Sequence, residues 1–299
     1  MSAHKSGFIS LIGRPNSGKS TLLNTILHEK VSIVSDKPQT TRNGVLGILT
    51  RETHQIIFMD TPGIHRPHYE MNRRMMAITR TAAEGMDLIV LIIDGSLDFG
   101  RGDQFVIEML TEIGKPVILL INKIDIIQKP RLLPLMDRYR RLYAFEEIIP
   151  ASALTGENVD LLERGVAERL PEGPAYFDAE TFTDQPERFL AAELIREKVL
   201  RYTREELPYT TGVVVEQFED IENPRRVSIH ASIYVERASQ KGIIIGKGGS
   251  RLKRIGTESR EEIGRLLAAK VNLFLHIKVK KGWRDNFRLL REMGLDGDR

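Results

Sequence analysis

At 299 residues, with 41% apolar and 28% charged side chains, the chain has the composition of an ordinary globular protein and room for about two domains. It contains no cysteine, which excludes disulfides and thiolate metal centres and fits a reducing compartment, the cytoplasm. The net charge is only +3, yet from Ala238 onward there are 15 Lys/Arg against 7 Asp/Glu, leaving 29 against 34 before it; an acidic body with a basic end points to an anionic partner at that end.

Residues Met1–Lys5 are not followed by an apolar stretch of signal-peptide length. No apolar run reaches the ~18 residues of a membrane span. The longest, Leu88–Ile93, reads as a buried strand. In chain order, short Ile/Val/Leu-rich strands are expected at Phe8–Gly13, Val45–Thr50, Gln55–Asp60, Leu88–Asp94, Pro116–Asn122 and Glu147–Ala151. Helical patterns lie between them at Lys19–His28, Met71–Glu84, Asp103–Ile113, Arg131–Tyr143 and Val159–Leu170. Alternation of this kind predicts a mostly parallel sheet with helices on both faces. One link differs. Only Arg51–His54 separates the second and third strands. That is too short for a parallel crossover, so the pair should be antiparallel.

The proline-punctuated, acidic stretch Pro171–Pro186 has no clear period and reads as an inter-domain linker. The expected division is a first domain over 1–172, a linker over 173–186 and a second domain over 187–299. In the last part a helix is expected from Glu187 to about Leu207. Alternating strands follow at Gly212–Asp220 and Arg226–Arg237, then a long helix from Ser250 to about Lys270 and a strand Val271–Lys280. Trp283, Phe287 and Leu290 fall at helical spacing and are expected as core contacts of a closing helix.

Gly13-Arg14-Pro15-Asn16-Ser17-Gly18-Lys19-Ser20 matches the phosphate-binding loop pattern G-x-x-x-x-G-K-[ST], placed after a strand and opening a helix. Glycines let backbone N–H groups wrap the phosphates, and the positive end of the helix, where Ser20 and Thr21 sit, adds to the field. Lys19 should reach the outer phosphates and Ser20 should ligate magnesium. Asp60-Thr61-Pro62-Gly63 ends another strand. Its aspartate can hold the same ion, and the Gly63 N–H can sense a γ-phosphate. Asn122-Lys123-Ile124-Asp125 ends a third strand and Ser152-Ala153-Leu154 follows a fourth. All four motifs lie at C-terminal strand ends, where open α/β sheets bind ligands. The Asp125 carboxylate can accept from both guanine N1–H and the 2-amino group, a pair of donors that adenine lacks. Asn122 should brace the base and the phosphate loop, the Lys123 stem can cover the base, and the Ala153 N–H can donate to guanine O6.

In this order, the motifs resemble the translation-factor-like GTPases. That resemblance implies a threonine in Lys37-Pro38-Gln39-Thr40-Thr41-Arg42-Asn43 that completes the magnesium shell, with Thr41 favoured. Ile64 stands where Ras-like enzymes carry the water-orienting glutamine. Hydrolysis should therefore be slow, or another group must act; His65 and His68 are near in sequence. In a subgroup of bacterial GTPases an asparagine at the position of Asn16 helps bind potassium, although asparagine also suits a turn there.

Gly246-Lys247-Gly248-Gly249, between Ile243–Ile245 and the helix opening at Ser250, matches the GXXG loop with which KH domains clamp single-stranded RNA. The helix–strand–strand–helix–helix–strand order is that of a type II KH domain. Arg251, Lys253 and Arg254 continue the positive charge, and Lys278, Lys280 and Lys281 end the last strand. A phosphate-loop GTPase domain followed by a KH domain, with KPQTTRN in the first and IIIGKGG in the second, resembles the Era family of bacterial GTPases across essentially the whole chain. GTP hydrolysis with GTP/GDP and magnesium is expected, with potassium at Asn16 as a further candidate cofactor, and the resemblance implies binding to the 3′ end of small-subunit ribosomal RNA. It also implies a role in maturing that subunit and peripheral contact at the inner membrane face; a monomer is expected. The competing reading is an RNA-binding assembly factor whose nucleotide is mainly structural.

Overall fold

The computed structural model describes residues 4–37, 40–64, 70–204, 207–221 and 225–295. It forms two compact units. His65, His68, Pro38 and Gln39 lie outside the described residues.

The first unit is built on six strands: β1 (Lys5–Ile12), β2 (Val45–Thr50), β3 (His54–Asp60), β4 (Leu88–Asp94), β5 (Val117–Asn122) and β6 (Glu147–Pro150). They are ordered β2-β3-β1-β4-β5-β6. All neighbours are parallel except β2 and β3, where the short turn forces an antiparallel pair from Val45↔Asp60 to Thr50↔Gln55. The interleaved helices are α1 (Lys19–Leu27), α2 (Glu70–Gly85), α3 (Arg101–Ile113), α4 (Lys129–Leu142) and α5 (Val159–Arg169). The continuous apolar strands are explained by burial on both faces. Along β4, Leu88, Val90 and Ile92 enter a core with Leu22, Leu23 and Ile26 of α1 and Leu162 and Val166 of α5. Ile89, Leu91 and Ile93 enter a second core with Val106 and Leu110 of α3 and Tyr139 of α4.

The stretch that follows α5 is fastened to this unit. Gln55, fully buried, accepts from the N–H groups of Tyr176 (2.7 Å) and Phe177 (3.0 Å) and donates to the Phe177 carbonyl at 2.8 Å. The Ile48 N–H of edge strand β2 donates to Phe182 O at 3.0 Å, and Thr183 Oγ1 donates to Leu46 O at 2.7 Å. A segment without regular structure thus covers an otherwise open sheet edge.

The second unit comprises α6 (Glu187–Tyr202), α7 (Leu207–Thr210), β7 (Gly212–Ile221), β8 (Arg226–Val235), α8 (Ala238–Ile245), α9 (Ser250–Leu266), β9 (Lys270–Val279) and α10 (Phe287–Glu292). Its sheet runs β7-β8-β9, with β7 antiparallel and β9 parallel to β8. α6 and α9 pack together, and the nearly buried Lys198 ammonium is met by the carboxylates of Glu197 and Glu262. α6 ends at Tyr202 rather than Leu207, and α9 at Leu266 rather than Lys270; there the chain turns through Ala268 at φ 47° to enter β9. Two of the three expected closing contacts enter the core: Trp283 and Leu290 are fully buried. Phe287 is 62% exposed and instead carries the Arg74 guanidinium 4.6 Å from its ring centroid; residues 70–74 belong to this unit.

Trp283 also donates Nε1–H to the Thr210 carbonyl at 2.9 Å. Replacing it by alanine leaves a cavity and removes this hydrogen bond. Trp283→Ala should lower the stability of the second unit by about 3–5 kcal/mol, measured by denaturant unfolding followed by circular dichroism, while the first unit keeps its guanine-nucleotide affinity.

Candidate functional site

The phosphate loop leaves β1 and enters α1, and its glycines are demanded by close approach. A Cβ on Gly13 would lie 2.2 Å from the Ile92 carbonyl oxygen. One on Gly18, already at φ 101°, would lie 2.1 Å from Asn122 Nδ2. Asn16 adopts a left-handed conformation at φ 63°, where asparagine is among the better tolerated residues. Ser17 is buried, and Thr21 follows Lys19 and Ser20 in the first turn of α1. Lys19 is 5% exposed and donates Nζ–H to Gly13 O at 3.1 Å and Arg14 O at 3.0 Å. Burial pulls its pKa down to about 8, with the charge of Asp60 working in the opposite direction. A phosphate at this loop would supply the anionic partner that the ammonium lacks solvent to replace.

Ser20, Thr41 and Asp60 converge. The Asp60 Oδ2 accepts from Ser20 Oγ at 2.6 Å and from Thr41 Oγ1 at 3.4 Å, and the two hydroxyls are 2.8 Å apart. Asp60 is fully buried, and its Oδ1 has no hydrogen-bond partner. Burial raises its pKa, opposed by Lys19 and by the hydroxyls that bond it. One carboxylate and two hydroxyls are hard oxygen donors of the kind magnesium takes, with waters and substrate phosphates completing its shell. The unpartnered Oδ1 is an acceptor that such a cation, or a water in its shell, would satisfy. Among the described residues no cluster of three or more His, Asp or Glu offers a competing metal site. Gly63 packs against the loop, where an added Cβ would lie 2.8 Å from Pro15. Ile64 is buried in the apolar core and gives its N–H to Gly13 O at 3.1 Å, so its side chain does not face the phosphate site.

The base motifs are knitted by one amide. Asn122 Nδ2 donates to Ser17 O at 2.7 Å, and Asn122 Oδ1 accepts from the N–H groups of Lys123 (2.8 Å) and Ala153 (2.8 Å). The Ala153 N–H, expected to serve guanine O6, is thus engaged by Asn122. The reason is that Asn122 has to hold the last loop against the first. Ser152 Oγ donates to Asp125 Oδ1 at 2.6 Å and orients an otherwise exposed carboxylate. Leu154 is 76% exposed beside it. Sequence reasoning missed Asp94, whose Oδ2 accepts from Lys123 Nζ at 2.6 Å. It also missed Asp103, which binds Arg14 of the phosphate loop at 2.9 Å. Both sit at loop or helix starts with no motif around them.

In the second unit Gly246, Gly248 and Gly249 have φ of 72°, 57° and 77°, positive values that favour glycine at each place. A Cβ on Gly246 would strike Arg251 Cβ at 2.8 Å, whereas Gly248 and Gly249 face open space. Lys247 and Lys253 are exposed. Arg251 donates Nη1–H to the Ile243 carbonyl, which pins the loop from behind. Arg254 pairs with Glu258 at 3.1 Å and lies over the Tyr202 ring, and Lys278 pairs with Glu216 at 2.5 Å. Part of the positive charge therefore has internal partners.

Comparison with known proteins agrees with this arrangement. The family described as 50S ribosome-binding GTPase matches residues 8–123, and the KH domain family matches 206–284. The chain is 46% identical to GTPase Era of Staphylococcus haemolyticus over 98% of each chain. It is 51% identical to GTPase Era of a Geobacter species, again over 98% of each. A crystal structure of Era in complex with MgGDPNP and nucleotides 1506–1542 of 16S ribosomal RNA superposes with a TM-score of 0.94 at 40% identity, covering 98% of this chain and 99% of that one. A variant of Aquifex aeolicus Era bound to GDP·AlF4− superposes equally well, covering 97% and 99%. Fold and motifs together define a phosphate-loop GTPase joined to a type II KH domain. Within that class, the chain belongs to the Era family of GTPases.

Asn122→Ala would release the phosphate loop, Lys123 and the Ala153 loop together. Its GDP affinity should fall at least about tenfold, measured by isothermal titration calorimetry, with the circular dichroism spectrum of the native fold retained.

Proposed function

We propose that this protein is a GTP-driven switch that binds the 3′ end of small-subunit ribosomal RNA through its KH loop and assists assembly of that subunit. The observation that carries the reading is the coexistence of two sites: hydroxyls converging on Oδ2 of Asp60, whose Oδ1 is unpartnered, and a positive-φ glycine clamp opening on solvent. The solved relative that binds MgGDPNP and nucleotides 1506–1542 of 16S ribosomal RNA supports it. The working division remains 1–172, 173–186 and 187–299.

In this reading Gly13, Asn16, Ser17, Gly18, Lys19, Ser20 and Thr21 wrap the phosphates, and Asn122, Lys123, Asp125, Ser152, Ala153 and Leu154 surround guanine, with the Ala153 loop tied in place by Asn122. Ser20 and Thr41, with Asp60 behind them, would hold magnesium, which neutralises the charge that builds on the phosphates. Lys19 carries a charge to the outer phosphates, and Gly63 offers its backbone to the γ-phosphate. Asn16 would help hold a potassium ion, whose charge would stabilise the phosphates as an arginine finger does elsewhere. Ile64 leaves the orientation of the attacking water to another group. Gly246, Lys247, Gly248, Gly249, Arg251 and Lys253 form the RNA clamp. No described helix is long and apolar enough to cross a membrane; cytoplasmic residence, peripheral membrane contact and a monomeric state belong to the same reading.

A multiple-turnover phosphate-release assay with and without a 16S 3′ fragment tests the switch. Turnover that RNA leaves unchanged, together with equal RNA affinity in the GDP and GTP-analogue forms, would favour the mainly structural nucleotide instead. For the clamp, Gly248→Asp should abolish most RNA binding while GDP binding is unchanged, because the position faces open space. Removing Lys247 should reduce the slope of log affinity against log salt by about one unit; both are read by fluorescence anisotropy. Hydrolysis should be faster in potassium than in sodium chloride, and Asn16→Ala should remove the difference.

A further inference from the structure

The third hydroxyl on Asp60 comes from outside the nucleotide motifs. Ser32, in the loop that follows α1, is 3% exposed and donates Oγ–H to Asp60 Oδ2 at 2.7 Å. Its position is set from below by Asn24 of α1. The Asn24 Oδ1 accepts from the N–H groups of Val31 (3.1 Å) and Ser32 (3.0 Å), while Asn24 Nδ2 donates to the Ser32 carbonyl at 2.7 Å. Both backbone polar groups of Ser32 are thereby taken by one side chain on a helix that begins at the phosphate loop.

The distribution around Asp60 is uneven. Three hydroxyls, from Ser20, Ser32 and Thr41, address Oδ2, and none addresses Oδ1, which is buried and unpartnered. A buried carboxylate oxygen without a donor is costly, so the arrangement makes sense when Oδ1 faces a cation or a water in its shell. Ser20 and Thr41 must then turn oxygen lone pairs toward that cation. Ser32 alone of the three has no such second task. Its bond fixes the carboxylate plane whether or not the other two are drawn away.

We infer that Ser32, locked in place by Asn24, is a positioning residue for Asp60 and sets the magnesium affinity of the nucleotide complex. The inference rests on the reading of Ser20, Thr41 and Asp60 as the magnesium site. Partners that orient a metal's ligands change metal affinity by about 10–100-fold when removed. The experiment uses the full chain loaded with N-methylanthraniloyl-GDP, whose dissociation rate is followed across a series of free magnesium concentrations and in excess chelator. In Ser32→Ala the magnesium midpoint should rise about tenfold or more, while the rate in chelator stays that of the unmodified protein. Asn24→Ala should raise the midpoint too, and should add little in the Ser32→Ala background because both act through one hydroxyl. Ser32→Thr, which keeps the hydroxyl, should restore most of the midpoint.

A midpoint unchanged in Ser32→Ala, with Ser20→Ala shifted, would overturn the role of Ser32 and leave the magnesium site standing. Equal shifts in chelator and in magnesium would make Ser32 a general support of the pocket and overturn the inference as well. Fully additive effects of the two substitutions would remove Asn24 from it. A midpoint that moves in none of the variants, Ser20→Ala included, would sink the magnesium reading together with everything built on it.

Discussion

The amide of Asn122 is the tie on which the nucleotide pocket depends. Its donor holds the phosphate loop at Ser17, and its acceptor holds Lys123 and Ala153. It thereby joins three loops, leaving β1, β5 and β6, at one point, beside the Ser152–Asp125 bond that links the last two. An asparagine suits the task because it offers donors and an acceptor on one short, rigid group. Buried at the end of β5, it makes these bonds where water competes little. The same closeness explains Gly18, since any Cβ there would meet the Asn122 nitrogen at 2.1 Å.

Around this tie, the pocket is a set of polar groups held by local supports. Lys123 is steadied by Asp94, Arg14 by Asp103, Asp125 by Ser152 and Asp60 by its hydroxyls. Charged groups that must later meet a ligand are kept in place beforehand, so less ordering is left to be done on binding. Lys19 shows the other side of this arrangement. Burial lowers its pKa to about 8, and its present partners are only neutral carbonyls. The site is therefore electrostatically incomplete until an anion arrives.

The second unit answers a different need with a different economy. Its glycine loop is stiffened from behind by Arg251 and left bare in front, so backbone groups can be approached closely. The surrounding charge is partly neutralised by Glu258 and Glu216, while Lys247 in the loop and Lys253 in the first turn of α9 are exposed.

By itself the sequence determined the alternating architecture, the antiparallel β2–β3 pair, the order of the nucleotide motifs and the glycine clamp. Each of these is written in local signals: strand composition, a four-residue turn, and loops whose residue types are dictated by backbone approach. Tertiary structure decided what depends on residues distant in the chain. The Ala153 N–H turned out to serve Asn122, thirty-one positions away. Phe287, placed by helical spacing in the core, lies at the surface, because the spacing gives a face of the helix but not how far the neighbouring chain extends over it. The stretch after α5 carries no period, yet Gln55 and the open edge of β2 fasten it to the sheet. Ser32 and Asn24 carry no motif at all. Their meaning arises only when the fold brings them to Asp60, since a hydrogen bond between side chains is a fact of three-dimensional proximity that no local pattern encodes.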